Sequence, residues 1–407
     1  MEKNKLKQFI REIPKCDLHV HLDGSLRIKT LIEFAKKGKI KLPSYSEQGM
    51  NELVFKDKYK DLPDYLQGFG YSISVMQTPE NLERIASEFA WDNINEGVCY
   101  VEVRFAPQFH INKHMNIEGV ITAVAKGMDA AKSEYNSRRE VKSGKFPPFE
   151  YGIICCAMRS IPAGVSDYFD KFLEVHSNSI SSRVNALASY ELVLAMIKMR
   201  DKGLPLVGFD LAGAEAGFPA GEHREAYALA HRNFFKKTVH AGEAYGAESI
   251  FQAITELYAD RIGHGYYLFS EEMIKSKLIK DKKEFINRLA QYIADRRVTI
   301  EVCLTSNMQT NPKIGSLKSH SFKKMLEYKL STAICTDNRS VSKTTVSKEL
   351  ELAVNNFNLG TQELKNCMIY GMKRSFYPGS YIEKRAYVRQ IIDFYESVEA
   401  RYPNILP

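Results

Sequence analysis

Short apolar runs separated by longer amphipathic stretches set the hydropathy pattern of this chain. Eight runs are rich in Val, Ile, aromatic residues or Cys: 16–22, 99–107, 149–158, 204–213, 237–243, 259–265, 298–307 and 331–338. Each is followed by residues in helical spacing. β-Branched and aromatic runs of this kind read as buried strands, and apolar residues at i, i+3 and i+4 read as helices. Strands alternating with helices imply right-handed βαβ units and a parallel sheet. Eight of them predict an α/β fold, a closed (β/α)8 barrel. The 407 residues accommodate ~250 residues of barrel plus insertions.

The largest insertion, 40–92, lies between the first two strands. Within it Leu62, Tyr65, Leu66 and Phe69 fall at i, i+3, i+4 and i+7, which predicts one helix over 62–69. Residues 361–407 read as two further helices, broken near Tyr377-Pro-Gly379. Without a repeat, a low-complexity tract or a flexible linker, the pattern predicts a single domain spanning 1–407, with the extra helices inserted after the first strand and at the C-terminus.

Composition narrows the class. Hydrophobic content of 44% and charged content of 26% are ordinary for a globular protein. The net charge of +8 is scattered, and its densest stretches, such as Arg138–Lys142 and Lys280–Phe285, are interrupted by acids and poor in aromatics. That is the pattern of solvated helix faces, not of a nucleic-acid surface. Seven cysteines without a Cys-x-x-Cys, four of them (Cys155, Cys156, Cys303, Cys335) inside apolar runs, argue for a reducing compartment. No window approaches ~20 consecutive apolar residues, and the charged N-terminus lacks an apolar leader core, so the expected location is cytoplasmic, away from membranes.

The candidate chemistry sits at the ends of the predicted strands. His19 and His21 lie two apart, so on a strand both imidazoles face one side and can reach one metal ion. A lone His-x-His is a weak signal. Here His240 and Glu243 end the fifth run, His264 the sixth, and Asp337 with Asn338 the eighth, while Gly213 ends the fourth. Barrel enzymes gather their sites at the C-terminal strand ends. The remaining histidines, His110, His114, His176, His223, His231 and His320, are expected at the surface.

Five separated motifs carry a resemblance: Asp17-Leu-His-Val-His-Leu-Asp-Gly-Ser25, Phe209-Asp-Leu-Ala-Gly213, Val239-His-Ala-Gly-Glu243, Arg261-Ile-Gly-His-Gly265 and Thr336-Asp-Asn338. In order and spacing the chain resembles the adenosine deaminase family of metal-dependent amidohydrolases over nearly its whole length. The resemblance implies zinc-dependent hydrolysis of adenosine, and of 2′-deoxyadenosine, to inosine and ammonia in purine metabolism. It implies one Zn²⁺ per chain held by His19, His21, His240 and Asp337. Glu243 is implied as the general acid toward ring N1. His264 is implied to orient and help deprotonate the attacking water, with Asp337 assisting. Substrate contacts are implied for His21, Asp23, Gly213 and Asn338: Gly213 through its amide to purine N3, Asp23 as acceptor for the ribose 5′-hydroxyl. Leu62, Tyr65, Leu66 and Phe69 resemble the family's hydrophobic gate, although such a stripe reads equally well as core. The partner expected is a small purine nucleoside, with no nucleic acid or membrane. The sequence leaves the oligomeric state open.

The chain departs from the family at its eighth strand, which commonly ends Ser-Asp-Asp-Pro. Here Thr336-Asp337-Asn338-Arg339 stands instead. Purine N7 is an acceptor, and Asn338 always carries a donating NH₂ where an aspartate must first be protonated. Recognition of N7 is therefore expected to survive with less dependence on pH. The following loop, 339–345, is also unusual and leaves base and sugar tolerance open. Rival readings are deamination of another 6-aminopurine, such as adenine or a modified adenosine, and a silent nucleoside-binding barrel. A cytidine-deaminase site lacks its His-x-Glu and Pro-Cys-x-x-Cys here, and a binuclear amidohydrolase lacks a bridging lysine at the end of the fourth strand.

Overall fold

The computed structural model describes residues 2–311 and 314–406. Eight strands run β1 Lys15–His21, β2 Val98–Phe105, β3 Glu150–Met158, β4 Leu206–Ala212, β5 Lys236–Ala241, β6 Arg261–His264, β7 Thr299–Val302 and β8 Thr332–Ile334. All neighbours pair in parallel, in sequence order. The ring closes through a bridge between Val20 and Asp337: Asp337 N–H donates to His19 O at 2.8 Å, and His21 N–H to Asp337 O at 2.7 Å. This is a (β/α)8 barrel, as the pattern predicts. A candidate metal ligand thus also performs the closure.

Two strands end four or five residues before their apolar runs do. The seventh stops at Val302, and Leu304–Thr310 is a helix. Its first turn is stabilised from afar, since the buried carboxylate of Glu349 accepts the Thr305 N–H at 3.1 Å and also holds the Thr305 hydroxyl. The eighth ends at Ile334, and Asp337 is left-handed at φ 59°, so the chain turns there toward the barrel mouth. The predicted helix over 62–69 is two, Leu62–Leu66 and Phe69–Val75. Gln67 and Gly68 keep helical dihedral angles, but the bonding tightens to Gly70 N–H→Gln67 O and Tyr71 N–H→Gly68 O. The C-terminal pair is Thr361–Arg374 and Tyr381–Glu399, the latter begun by a reciprocal cap between Ser380 and Glu383. The former lies against β8 and β1, covering the seam of the barrel.

Alternation along the strands sends apolar side chains outward to the helices and a set of charged ones inward. Glu102, Arg104, Asp210, Arg261 and Glu301 are all buried inside the barrel. Arg261 bridges Glu102 and Glu301, with Nε 2.6 Å from Glu301, and stacks over Phe376 at 3.5 Å. Buried charges are tolerated only when paired, and here each finds at least one opposite partner.

Candidate active site

A cavity of about 380 Å³ opens at the C-terminal strand ends, bounded by His21, Gly213, His240, Glu243, His264 and Asp337 on the barrel side. Asp23 and Asn338 also line it, and Leu62, Tyr65, Leu66 and Phe69 form the opposite wall. Every residue singled out in the sequence therefore borders this space, except His19, which lies fully buried beside it.

His19, His21, His240 and Asp337 each offer one ligand atom, all within 4.8 Å of one another. Asp337 Oδ1 lies 3.3 Å from His19 Nε2 and 3.5 Å from His21 Nε2, while the Nε2 atoms of His21 and His240 are 3.1 Å apart. The rings are oriented from behind. His19 Nδ1 meets Glu301 at 2.7 Å, and His240 Nδ1 meets Asp210 at 3.1 Å. A carboxylate accepts, so each Nδ1 carries the proton and each Nε2 presents a lone pair to the centre. His19 Nε2 is buried with no hydrogen-bond partner. Converging lone pairs beside a carboxylate repel one another in a dry site unless a cation shares them. The imidazole and carboxylate donors suit a divalent ion such as zinc.

From the sequence, Glu301 and Arg104 had no role, and Asp210 was met only within the Phe209–Gly213 motif; the two acids are joined by Arg104. Its guanidinium donates to Asp210 at 2.9 Å and to Glu301 at 3.0 Å, and also to the carbonyl of Leu18. Burial pushes Glu301 upward, but Arg104 and Arg261 bring it far below the usual carboxylate range. The available signal was charged residues set singly between apolar neighbours within the strands, as in Val101-Glu-Val-Arg104 and Ile300-Glu-Val302.

Glu243 is placed by a second acid, also overlooked. Glu215 accepts the backbone N–H groups of Gly242, Glu243, Ala244 and Tyr245 at 2.6–3.0 Å and the Ser249 hydroxyl at 2.6 Å. The loop after β5 is thereby wrapped around one buried carboxylate. Burial, followed by repulsion from Asp337 and Glu215, pushes the Glu243 carboxyl up to about 8, so it holds its proton at neutral pH. Its Oε2 lies 3.7 Å from His264 Nε2. In Asp337, the upward push of burial is outweighed by the close approach of His19 and by the His264 and His21 imidazoles, which hold it well below the carboxylate range. Ser306 donates to its Oδ2 at 2.5 Å.

Gly213 is left-handed at φ 96°, and a Cβ there would meet Met158 Cε at 3.1 Å, so a side chain would be both strained and crowded. Asp23 lies past the end of β1 and has a buried Oδ1 without a partner; burial raises its carboxyl to about 7. Asn338 donates from Nδ2 to the Tyr65 hydroxyl at 2.8 Å, and that hydroxyl pairs with Ser342 Oγ at 2.9 Å. A Cβ on Gly24 would overlap Asn338 Oδ1 at 1.8 Å, so only glycine leaves room for this amide. The loop 339–345 does not line the cavity. Arg339 turns away to Glu96 and to Asn93 at 3.2 Å, and Lys343 reaches Asp57 at 2.7 Å. The loop acts on the cavity only at one remove: Ser342 pairs with the Tyr65 hydroxyl of the cavity wall, and Lys343 ties the loop to the insertion.

Three histidines expected at the surface are buried: His110, His223 and His320. Burial lowers His110 to about 4 and His223 and His320 to about 3, so all three are neutral. No helix among the described residues is long and apolar enough to cross a membrane.

Comparison with known proteins supplies an independent line. The sequence profile of the adenosine deaminase family matches residues 14–393. The adenosine deaminase of Mycobacterium ulcerans is 34% identical over 370 residues, 90% of this chain and 91% of its own length. Among solved structures, the adenine deaminase of Arthrobacter aurescens superposes with a TM-score of 0.70 at 20% identity, covering 94% of this chain and 99% of its own. The N6-methyl-AMP deaminase of Arabidopsis thaliana gives 0.71 at 22%, covering 97% and 100%. Those two likenesses establish a shared fold, whereas the family match extends over the strand ends that build the site. The chain belongs to the adenosine deaminase family.

Proposed function

We propose that the protein hydrolyses adenosine, and 2′-deoxyadenosine, to inosine or 2′-deoxyinosine and ammonia, with one Zn²⁺ per chain. The observation that carries this reading is a buried carboxyl, Glu243, lining the same cavity as a four-ligand His/Asp cluster, with its Oε2 3.7 Å from His264 Nε2. His19, His21, His240 and Asp337 would hold the ion. Bound there, zinc lowers the pKa of a water toward ~7 and so makes it a nucleophile at neutral pH.

The chain's own residues supply the rest. Attack at C6 forms a C–O bond and pushes electrons onto ring N1, which Glu243 protonates as the attack proceeds. The C6–N bond then breaks. Of the two water protons, one ends as the N1 proton of inosine, by way of Glu243, and the other leaves on ammonia. His264 orients the attacking oxygen, with Asp337 assisting. The Gly213 amide meets N3, the Asn338 NH₂ meets N7, and His21 borders the sugar side. The free Oδ1 of Asp23 accepts the ribose 5′-hydroxyl, and a carboxyl in that place leaves no partner for a 5′-phosphate. Leu62, Tyr65, Leu66 and Phe69 cover the sugar as an apolar gate. All seven cysteines are free and buried, which supports a reducing, cytoplasmic setting.

Initial rates on adenosine, 2′-deoxyadenosine, adenine and AMP test this directly. The two nucleosides are expected to turn over at least tenfold faster, by kcat/KM, than adenine or AMP. Preference for adenine or AMP would overturn the assignment of Asp23 and the gate.

A further inference from the structure

His264 borders the cavity through Nε2, and the role open to that nitrogen depends on whether it carries a hydrogen. A neutral imidazole has one N–H and one lone pair, and the partner of the far nitrogen decides which is which. Here the far nitrogen is reached by a chain of hydrogen bonds whose directions are forced from one end. The backbone N–H of Phe322 points at His320 Nδ1 at 3.0 Å. A backbone amide only donates, so His320 Nδ1 is the acceptor and its proton lies on Nε2. That Nε2–H faces Asn307 Oδ1 at 3.1 Å, the acceptor end of the amide. The other end, Asn307 Nδ2, lies 3.1 Å from His264 Nδ1. An NH₂ group only donates, so His264 Nδ1 must accept.

We infer that Asn307 and His320 are positioning residues that lock His264 with its hydrogen on Nε2, so that it directs the attacking oxygen by donating to it and does not act as the base. This rests on the deaminase reading above and deepens it: the help with deprotonation expected of His264 passes to the carboxylates flanking the water. Glu243 is free to take a water proton once it has given its own to N1, which keeps the proton balance unchanged. His320 suits the part because burial keeps it neutral, with a value lowered to about 3. The relay is also shielded: His264, Asn307 and His320 are each no more than 2% exposed, so solvent cannot readily substitute for a missing link. It starts on the segment between β7 and β8 and ends at the tip of β6, and so fixes one side of the site from outside the barrel.

The test is the ¹⁵N spectrum of histidine-labelled, zinc-loaded protein, with the His264 signals assigned by their loss in His264→Gln. The expected wild-type pattern is a protonated, pyrrole-type Nε2 and an unprotonated, pyridine-type Nδ1. The reverse pattern, or a doubly protonated ring, would overturn the inference. Asn307→Asp replaces the NH₂ by a second acceptor, so the His264 proton should move to Nδ1. With it, kcat for adenosine should fall by about 10²-fold or more while KM changes less than threefold. An unchanged spectrum in that variant, or a swapped spectrum with unchanged kcat, would contradict the positioning role. If Asn307→Asp does not fold, the wild-type spectrum still decides. If wild-type protein turns over no adenosine, the deaminase reading fails while the nitrogen spectrum independently decides the tautomer.

Discussion

On the barrel side of the cavity, polar atoms are held by other polar atoms deeper in the fold; on the insertion side, aromatic and aliphatic packing does most of the holding. His19 rests on Glu301, His240 on Asp210, and both acids on Arg104. Opposite them, Tyr65 packs edge-on against Tyr59 at 4.9 Å and tilts against Phe69 at 6.0 Å. Among the described residues, the polar link from that wall to the strand ends runs through Asn338 and Ser342. Directional bonds fix an atom to a fraction of an ångström, which proton transfer and metal ligation need. Apolar packing tolerates small shifts, which a surface that must admit and release a ligand needs. Damage to the two walls should therefore differ in kind: the barrel wall should lose chemistry or stability, and the insertion wall affinity.

The largest effect is expected at Glu243. Glu243→Gln keeps the shape and removes the transferable proton, so kcat should fall by ~10²–10⁴-fold with the thermal midpoint nearly unchanged. The pH profile gives the same group away. The acid form is populated below about 8 and lost above it, so kcat/KM should decline as pH rises through that value, and the decline should vanish in the variant.

Next comes the base of the barrel wall. Arg104→Met leaves Asp210 and Glu301 without their shared cation, and chemical denaturation should show a loss of ~3–5 kcal/mol. A loss below 1 kcal/mol would mean that Arg261 and the imidazoles suffice. Asp210→Asn and Glu301→Gln are gentler, since an amide can still accept from imidazole. Each should weaken zinc binding by ~10–100-fold in chelator competition.

The smallest effect belongs to the insertion wall. Tyr65→Phe preserves the ring and removes one hydroxyl, worth ~0.5–1.5 kcal/mol. KM for adenosine should rise by about two- to tenfold with kcat unchanged. A fall in kcat instead would show that this wall shares in the chemistry and would erase the contrast.

The two walls were also unequally legible. Alternating apolar runs exposed all eight strands, because burial on both faces enforces a local pattern. The histidines stood out because each ends such a run. Their supports did not, since His19 and Glu301 lie 282 positions apart and no local rule links them. For the same reason His320 passed for a surface residue, its partners being Asn307 and the amide of Phe322. Helix 304–310 was hidden inside an apolar run because its first turn is satisfied by Glu349 from 44 residues away. Asn338 was singled out for its NH₂, but its bond to Tyr65 became visible only once the insertion was folded over the barrel.

The most direct test of the account is ultraviolet absorbance of the protein with adenosine after removal of metal by chelation and dialysis, followed by titration with Zn²⁺. The account predicts no spectral change without the ion, then conversion of the adenine band with stoichiometric ammonia, saturating at one Zn²⁺ per chain. Full turnover by the chelated protein, or none at any zinc level, would contradict a metal site built from His19, His21, His240 and Asp337.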